Sequence, residues 1–199
     1  MTQIWRSRRR TTAVAVLAGA IALTTGCTAE GDLISYELPP EPGRYTLEVE
    51  TGGVTTVWEY TSERPIEDKF DRSCLADALG NPDAPPCRPE PLIFLRYELA
   101  LDLDDTVPAR RPHEITVTSY YQPQPGAVPT VTDLAVEASF DGGATWQSMR
   151  TQPAGEAGSF ATTIRPPATA SGVVALRVSA TDSDGNSVVQ TIPEAYRLK

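Results

Sequence analysis

An all-β protein made of two small β-sandwich domains is what this sequence of 199 residues predicts. Three observations carry the prediction. Several segments alternate apolar and polar side chains with the period of two that a half-buried strand requires. Turn formers recur between these segments at short spacing, with 14 Gly and 18 Pro scattered along the chain. Outside the leader no stretch has helical periodicity, apart from one candidate turn, LADAL at 75–79.

The leader comes first. MTQIWRSRRR is a basic n-region, and AVAVLAGAIAL at 13–23 is an apolar run of eleven residues. A bilayer crossing takes about 20 such residues, so this run has the length of a signal-peptide core. Removing its four Arg from the 17 basic residues leaves 13 against 26 acidic ones, a net of −13. A nucleic-acid partner is therefore not expected, because a binding face needs Lys and Arg to displace phosphate counterions.

The leader ends in LTTGC, residues 23–27, which resembles a bacterial lipobox. That resemblance implies cleavage after residue 26, a diacylglycerol on the sulfur of Cys27, palmitate-type acyl chains, and attachment to the outer face of the cytoplasmic membrane. Thr24 stands where lipoboxes carry Leu, Val or Ile, and an ordinary cleaved signal with a leftover thiol is the alternative. SRRR at 7–10 resembles part of a twin-arginine signal, but Thr11 and Thr12 replace its bulky apolar residues. Both export routes stay open.

Export gives the cysteine count its meaning. With Cys27 assigned to the anchor, Cys74 and Cys87 bracket a Pro/Gly-rich loop with twelve residues between the thiols. In an oxidising compartment they read as one disulfide, which in the chain-entropy model contributes about 3 kcal/mol. A metal site there would need further Cys or His ligands, and the chain has a single His, His113. No cofactor is expected.

Residues 27–40 read as a polar, Pro-ended tether. The first domain, 41–108, opens with RYTLEVE (44–50), in which Tyr45, Leu47 and Val49 share one face. TGG is a turn, and VTTVWEYT (54–61) is its returning strand. After the disulfide loop, PLIFLRYELALDLD predicts one long strand with Leu95, Tyr97, Leu99, Leu101 and Leu103 on one face. Charge and proline in VPARRP (107–112) mark the boundary. The second domain, 109–199, holds EITVTSYY, TDLAVEASF, WQSMR, SFATTIR, VVALRVSAT and SVVQTIPEAYRL, a series of short strands that fits a sandwich.

Two turn motifs deserve a chemical reading. SFDGGATW fits Ser-x-Asp-x-Gly-x-Thr-Trp through Ser139, Asp141, Gly143, Thr145 and Trp146, and resembles the Asp-box repeated in sialidase propellers. A propeller needs one box per blade and about twice this length, and there is one box. The motif therefore predicts a folded hairpin: Asp141 accepts backbone amides, Gly142 and Gly143 supply positive φ, and Trp146 lies over the turn. TDSDGNSVV places Asp182, Asp184 and Asn186 at alternate positions, as at the start of a calcium loop. A calcium loop of that kind needs a Glu at its twelfth position, where this chain has Pro193, so a tight hairpin is favoured. LDLDD reads as a solvated loop end rather than a carboxylate pair, and His113 as a solvated turn residue.

In order, YTLEVET and WEYTS, PLIFLRYELALDLD, VEASFDGGATWQSM and VALRVSATDSDGNSVVQTIPEAYRL resemble the β-rich region that follows the catalytic domain in many secreted bacterial subtilisin-like serine proteases. The resemblance spans about 38–199 and implies that the second sandwich is fibronectin type III- or immunoglobulin-like. No Gly-Thr-Ser-Met-Ala block or catalytic triad can be placed on the sequence, so protease activity does not carry over. The expected function is a non-catalytic, membrane-tethered module for a protein or cell-envelope partner. A carbohydrate-binding module using Trp58, Tyr60, Tyr120 and Tyr121 is the alternative, and a hydrolase using His113 or the LDLDD carboxylates a more distant one.

Overall fold

The computed structural model describes residues 37–67, 86–124 and 126–199 in full. It also gives the backbone of four short strands, β1 (Thr2–Gln3), β2 (Thr12–Val14), β3 (Thr28–Glu30) and β4 (Leu33–Ser35). Cys27, Cys74 and the 75–79 turn lie outside the described residues. Among those residues every regular element is a strand, and the protein is all-β.

The first described hairpin forms as its alternation dictates. β5 (Gly43–Thr51) returns as β6 (Val54–Ser62) through Gly52 and Gly53, with Thr51 paired to Val54. Both glycines have positive φ, 61° and 82°, as a two-residue turn matched to strand twist requires. Tyr45, Leu47 and Val49 are buried on one face, joined by Trp58 and Tyr60.

The long strand expected from Pro91 onward is divided. β7 spans only Phe94–Glu98; the chain then leaves the ladder and re-forms as β8 (Thr106–Val107). Ala100 and Asp105 adopt left-handed φ of 48° and 55°, which ends strand pairing. Leu95, Tyr97, Leu99 and Leu101 still pack on the core, but Leu103 projects fully into solvent. The physical reason is that the chain changes sheets here. β7 pairs antiparallel with β9 (His113–Tyr120), whereas β8 pairs parallel with the end of β15 (Ser187–Leu198).

Five further strands complete the sandwich: β10 (Val131–Ser139), β11 (Gln147–Met149), β12 (Thr151–Pro153), β13 (Ser159–Ile164) and β14 (Gly172–Asp182). One sheet has the order β12-β13-β9-β7, the other β11-β10-β14-β15-β6-β5-β2. The segment β9 to β15, with β7 and β8, forms a β-sandwich: the four-stranded sheet faces the larger one, in which β15 also receives the short parallel strand β8. Two of its strands, β7 and β8, precede residue 109 in the chain. Residues 43–62 extend its larger sheet, because β15 pairs with β6 through Ser187↔Glu59 to Thr191↔Thr55. One hydrophobic cluster accordingly unites Leu47, Trp58 and Ile93 with Val117, Val136 and Val178.

Pro193 sits inside β15, where a central strand would forbid it. Pairing with β6 ends at Thr191, and pairing with β8 begins at Arg197. Proline occupies the gap between two partners, where no ladder N–H is needed. The opposite side carries a register shift between Val174 and Leu176.

Trp58 fastens the hairpin to the core. Its indole N–H donates to the Ile93 carbonyl at 2.7 Å, and its ring centroid lies 6.0 Å from that of Phe94. Trp58→Ala is expected to cost about 3–5 kcal/mol by urea unfolding, since it removes a buried ring and strands a carbonyl. Trp58→Phe keeps most of the apolar surface and is expected to cost about 1–2 kcal/mol.

Candidate functional site

The residues singled out by sequence lie in three separate places. The first is the SFDGGATW turn, which joins β10 to β11. The Ser139 hydroxyl donates to Asp141 Oδ1 at 2.7 Å and accepts the Gly143 amide at 2.9 Å. Asp141 Oδ1 also accepts the Thr145 amide at 2.9 Å, while Oδ2 accepts the Thr145 hydroxyl. The bonds from Thr145, then that from Ser139, hold the Asp141 carboxyl down to about 2. Gly143 has φ of 90°, and a Cβ there would stand 3.6 Å from the Trp146 ring. The Trp146 ring thus borders the turn, and its other neighbour is a cation. Its ring lies beneath the Arg177 guanidinium of β14, 4.0 Å from ring centroid to Cζ, and Arg177 also meets Glu137 at 3.4 Å. The reason is electrostatic: a ring face beside a cross-strand cation attracts it. Every motif side chain is thus occupied in shaping the hairpin.

The second place is the β14–β15 turn, and it is a hairpin as the sequence predicts. Asp182 is 3% exposed, so its carboxylate must find donors within the protein. Oδ1 accepts the amides of Asp184 (2.9 Å) and Asn186 (2.8 Å). Oδ2 accepts the Asn186 side-chain amide at 2.8 Å and the Tyr121 hydroxyl at 2.9 Å. Burial, then Asp182, pushes the Tyr121 phenol well above its ordinary range. Asn186 Oδ1 in turn accepts the Thr61 amide of β6 at 3.0 Å. All four of these bonds on the Asp182 carboxylate come from donors of the protein itself.

The third place is the crossover between β7 and β9. Lys199 meets Asp102 at 2.9 Å and Asp104 at 3.3 Å, so the LDLDD carboxylates anchor the C-terminal residue. His113 is not a solvated turn residue. It opens β9, its ring lies 5.2 Å from that of Tyr196, and Nε2 is sealed from solvent without a hydrogen-bond partner among the described residues. The cause is the sheet change just before it, which lays the crossover over the imidazole. Desolvation lowers its pKa below the ordinary value, against a smaller opposing effect of the Leu99 backbone.

Of the four aromatics proposed for carbohydrate, Trp58 and Tyr60 are core residues and Tyr121 serves Asp182. Tyr120 is exposed and stacks on Phe94 at 5.6 Å and 30°. Two features escaped the sequence reading: the Arg177–Trp146 pair and the groove beside β11 and β12. Cross-strand registry creates both, and registry is not written in either strand alone.

No family model matches the chain, and no curated protein matches it.

Asp182→Ala is expected to lower stability by about 3 kcal/mol, because buried amides lose their acceptor. Millimolar calcium is expected to move the wild-type melting temperature by no more than about 2 °C, where a bound ligand would raise it by mass action. His113 supplies a pH dependence whose sign follows from its lowered pKa. The unfolded chain binds the proton more readily, so stability is complete above about 6.5 and falls as pH drops through the folded value. Urea titrations from neutral to acidic pH are expected to show this loss, and His113→Gln to flatten it.

Proposed function

We propose that this chain is a non-catalytic exported lipoprotein, a β-sandwich module held outside the cytoplasmic membrane by a lipid on Cys27. The basic, apolar leader ending in LTTGC supports the anchor. One observation supports the non-catalytic reading: most of the carboxylates in the motifs that could suggest chemistry are engaged structurally. Asp141 shapes one turn, Asp182 and Asn186 another, and Asp102 and Asp104 hold Lys199.

The order of the strand motifs supports kinship with the β-rich regions that follow subtilase catalytic domains, and hence a role in binding a protein or cell-envelope component. Cys87 is buried and disulfide-bonded, which supports the proposed Cys74–Cys87 pairing. A carbohydrate-binding role has one specific observation in its favour, the exposed Tyr120 stacked on Phe94. A single such platform is a small surface for stacking a polysaccharide.

Cys27→Ala is expected to move the protein from the membrane fraction to the medium; unchanged fractionation would refute the anchor. The purified protein is expected to leave casein and model glycosides intact, and turnover abolished by His113→Ala would overturn the non-catalytic reading.

A further inference from the structure

A polar groove of about 450 Å³ lies where the two sheets of the sandwich end side by side. β11 is the last strand of the larger sheet and β12 the last of the smaller, and only Arg150 separates them in the chain. Gln147 and Gln152 line the groove from these two strands, Glu114 and Thr163 from β9 and β13. Arg150 and Arg165 also line it, and both are exposed.

Both arginines stand on fixed backbone. The Arg150 carbonyl accepts the Thr162 hydroxyl at 2.9 Å, and the next residue, Thr151, donates its hydroxyl to the Leu134 carbonyl at 2.8 Å. Arg165 directly follows β13 and precedes Pro166 and Pro167, which restrict the chain there. Their side chains differ from those of four other cations of the sandwich. Arg44, Arg177, Arg197 and Lys199 each meet a carboxylate. Arg150 and Arg165 make no ion pair among the described residues, although acidic residues outnumber basic ones 26 to 17. Two guanidinium groups, each able to bind a carboxylate bidentately, thus share one groove.

Resting on the binding-module reading above, we infer that this groove binds an acidic peptide segment of a partner protein in extended conformation. Charge complementarity identifies its carboxylates as ligands for Arg150 and Arg165. The flanking strands β11 and β12 each present an unpaired edge, which main-chain amides of an extended segment can complete. Gln147, Gln152 and Glu114 offer acceptors for its remaining amides. No aromatic ring lines the groove, so the stacking surface that a saccharide uses is missing there.

The test is fluorescence polarisation of a labelled octapeptide of alternating Glu and Val, titrated with the purified chain at low salt. Saturable binding is expected, weakened at least about tenfold in Arg150→Gln/Arg165→Gln and within about twofold of wild type in Arg96→Gln/Arg111→Gln. Matching urea midpoints keep either double variant interpretable as a folded protein. Absence of saturation up to about 1 mM peptide overturns the inference. So does equal weakening by the two double variants, or displacement of the peptide by an oligouronate at lower concentration than by unlabelled peptide. A failure here with Cys27-dependent membrane retention intact removes the groove and leaves the tethered-module reading in place.

Discussion

A buried carboxylate sets the terms for this fold. Asp182 is buried, and its side-chain oxygens have to find donors within the protein, since a buried polar group without partners is costly. The donors come from two regions of the chain. The β14–β15 turn folds back to offer two amides and the Asn186 side chain, and the segment after β9 sends the Tyr121 hydroxyl. Asn186, fixed in this way, accepts the Thr61 amide and so ties in the N-terminal hairpin. One buried side chain thereby relates both sheets and the added hairpin at one end of the sandwich.

Strand β15 performs the corresponding work along its length. It pairs with β14 on one side and on the other with β6 and then, after Pro193, with β8. The proline is both tolerated and informative, because it marks where one neighbour leaves off and the next arrives. The crossover that delivers β8 needs left-handed turns at Ala100 and Asp105, and is held by the pairing of Asp102 and Asp104 with Lys199. Its course over His113 explains why an imidazole at a strand entrance is withdrawn from water.

Much of this was legible in the sequence, for reasons that differ element by element. The β5–β6 hairpin declared itself through Tyr45, Leu47 and Val49 and a Gly-Gly turn, all local signals. The two Asp-centred turns were readable because side-chain to backbone bonds over four residues are encoded by spacing alone. The division of the long strand at 91–104 was not readable, since its alternation continues unbroken through Leu103 and only the packed sheets decide where the chain crosses. β12 was missed because Thr151–Pro153 is three residues long and ends in proline. The attachment of residues 43–62 to β15 was equally hidden. It depends on which strand leaves an edge free, a property of the assembled sheet. The same limit applies to the site: Arg150 and Arg165 are fifteen positions apart, and only the β11-to-β12 turn brings them to one groove.

The appended hairpin has a consequence for how this protein tolerates being cut. β15 is twelve residues long, and its side away from β14 would be open from Ser187 to Thr191 were β6 absent. An uncovered run of backbone donors and acceptors, with Val188 and Val189 beside it, is a template on which further chains can stack. In the intact molecule β6 covers that run, and β5 lies beyond it with Arg44, Glu48 and Glu50 exposed, charges that oppose such growth. A proteolytic nick that releases residues 43–62 would therefore bare an edge on which further chains can pair. The hairpin is a guard on solubility as much as a part of the core.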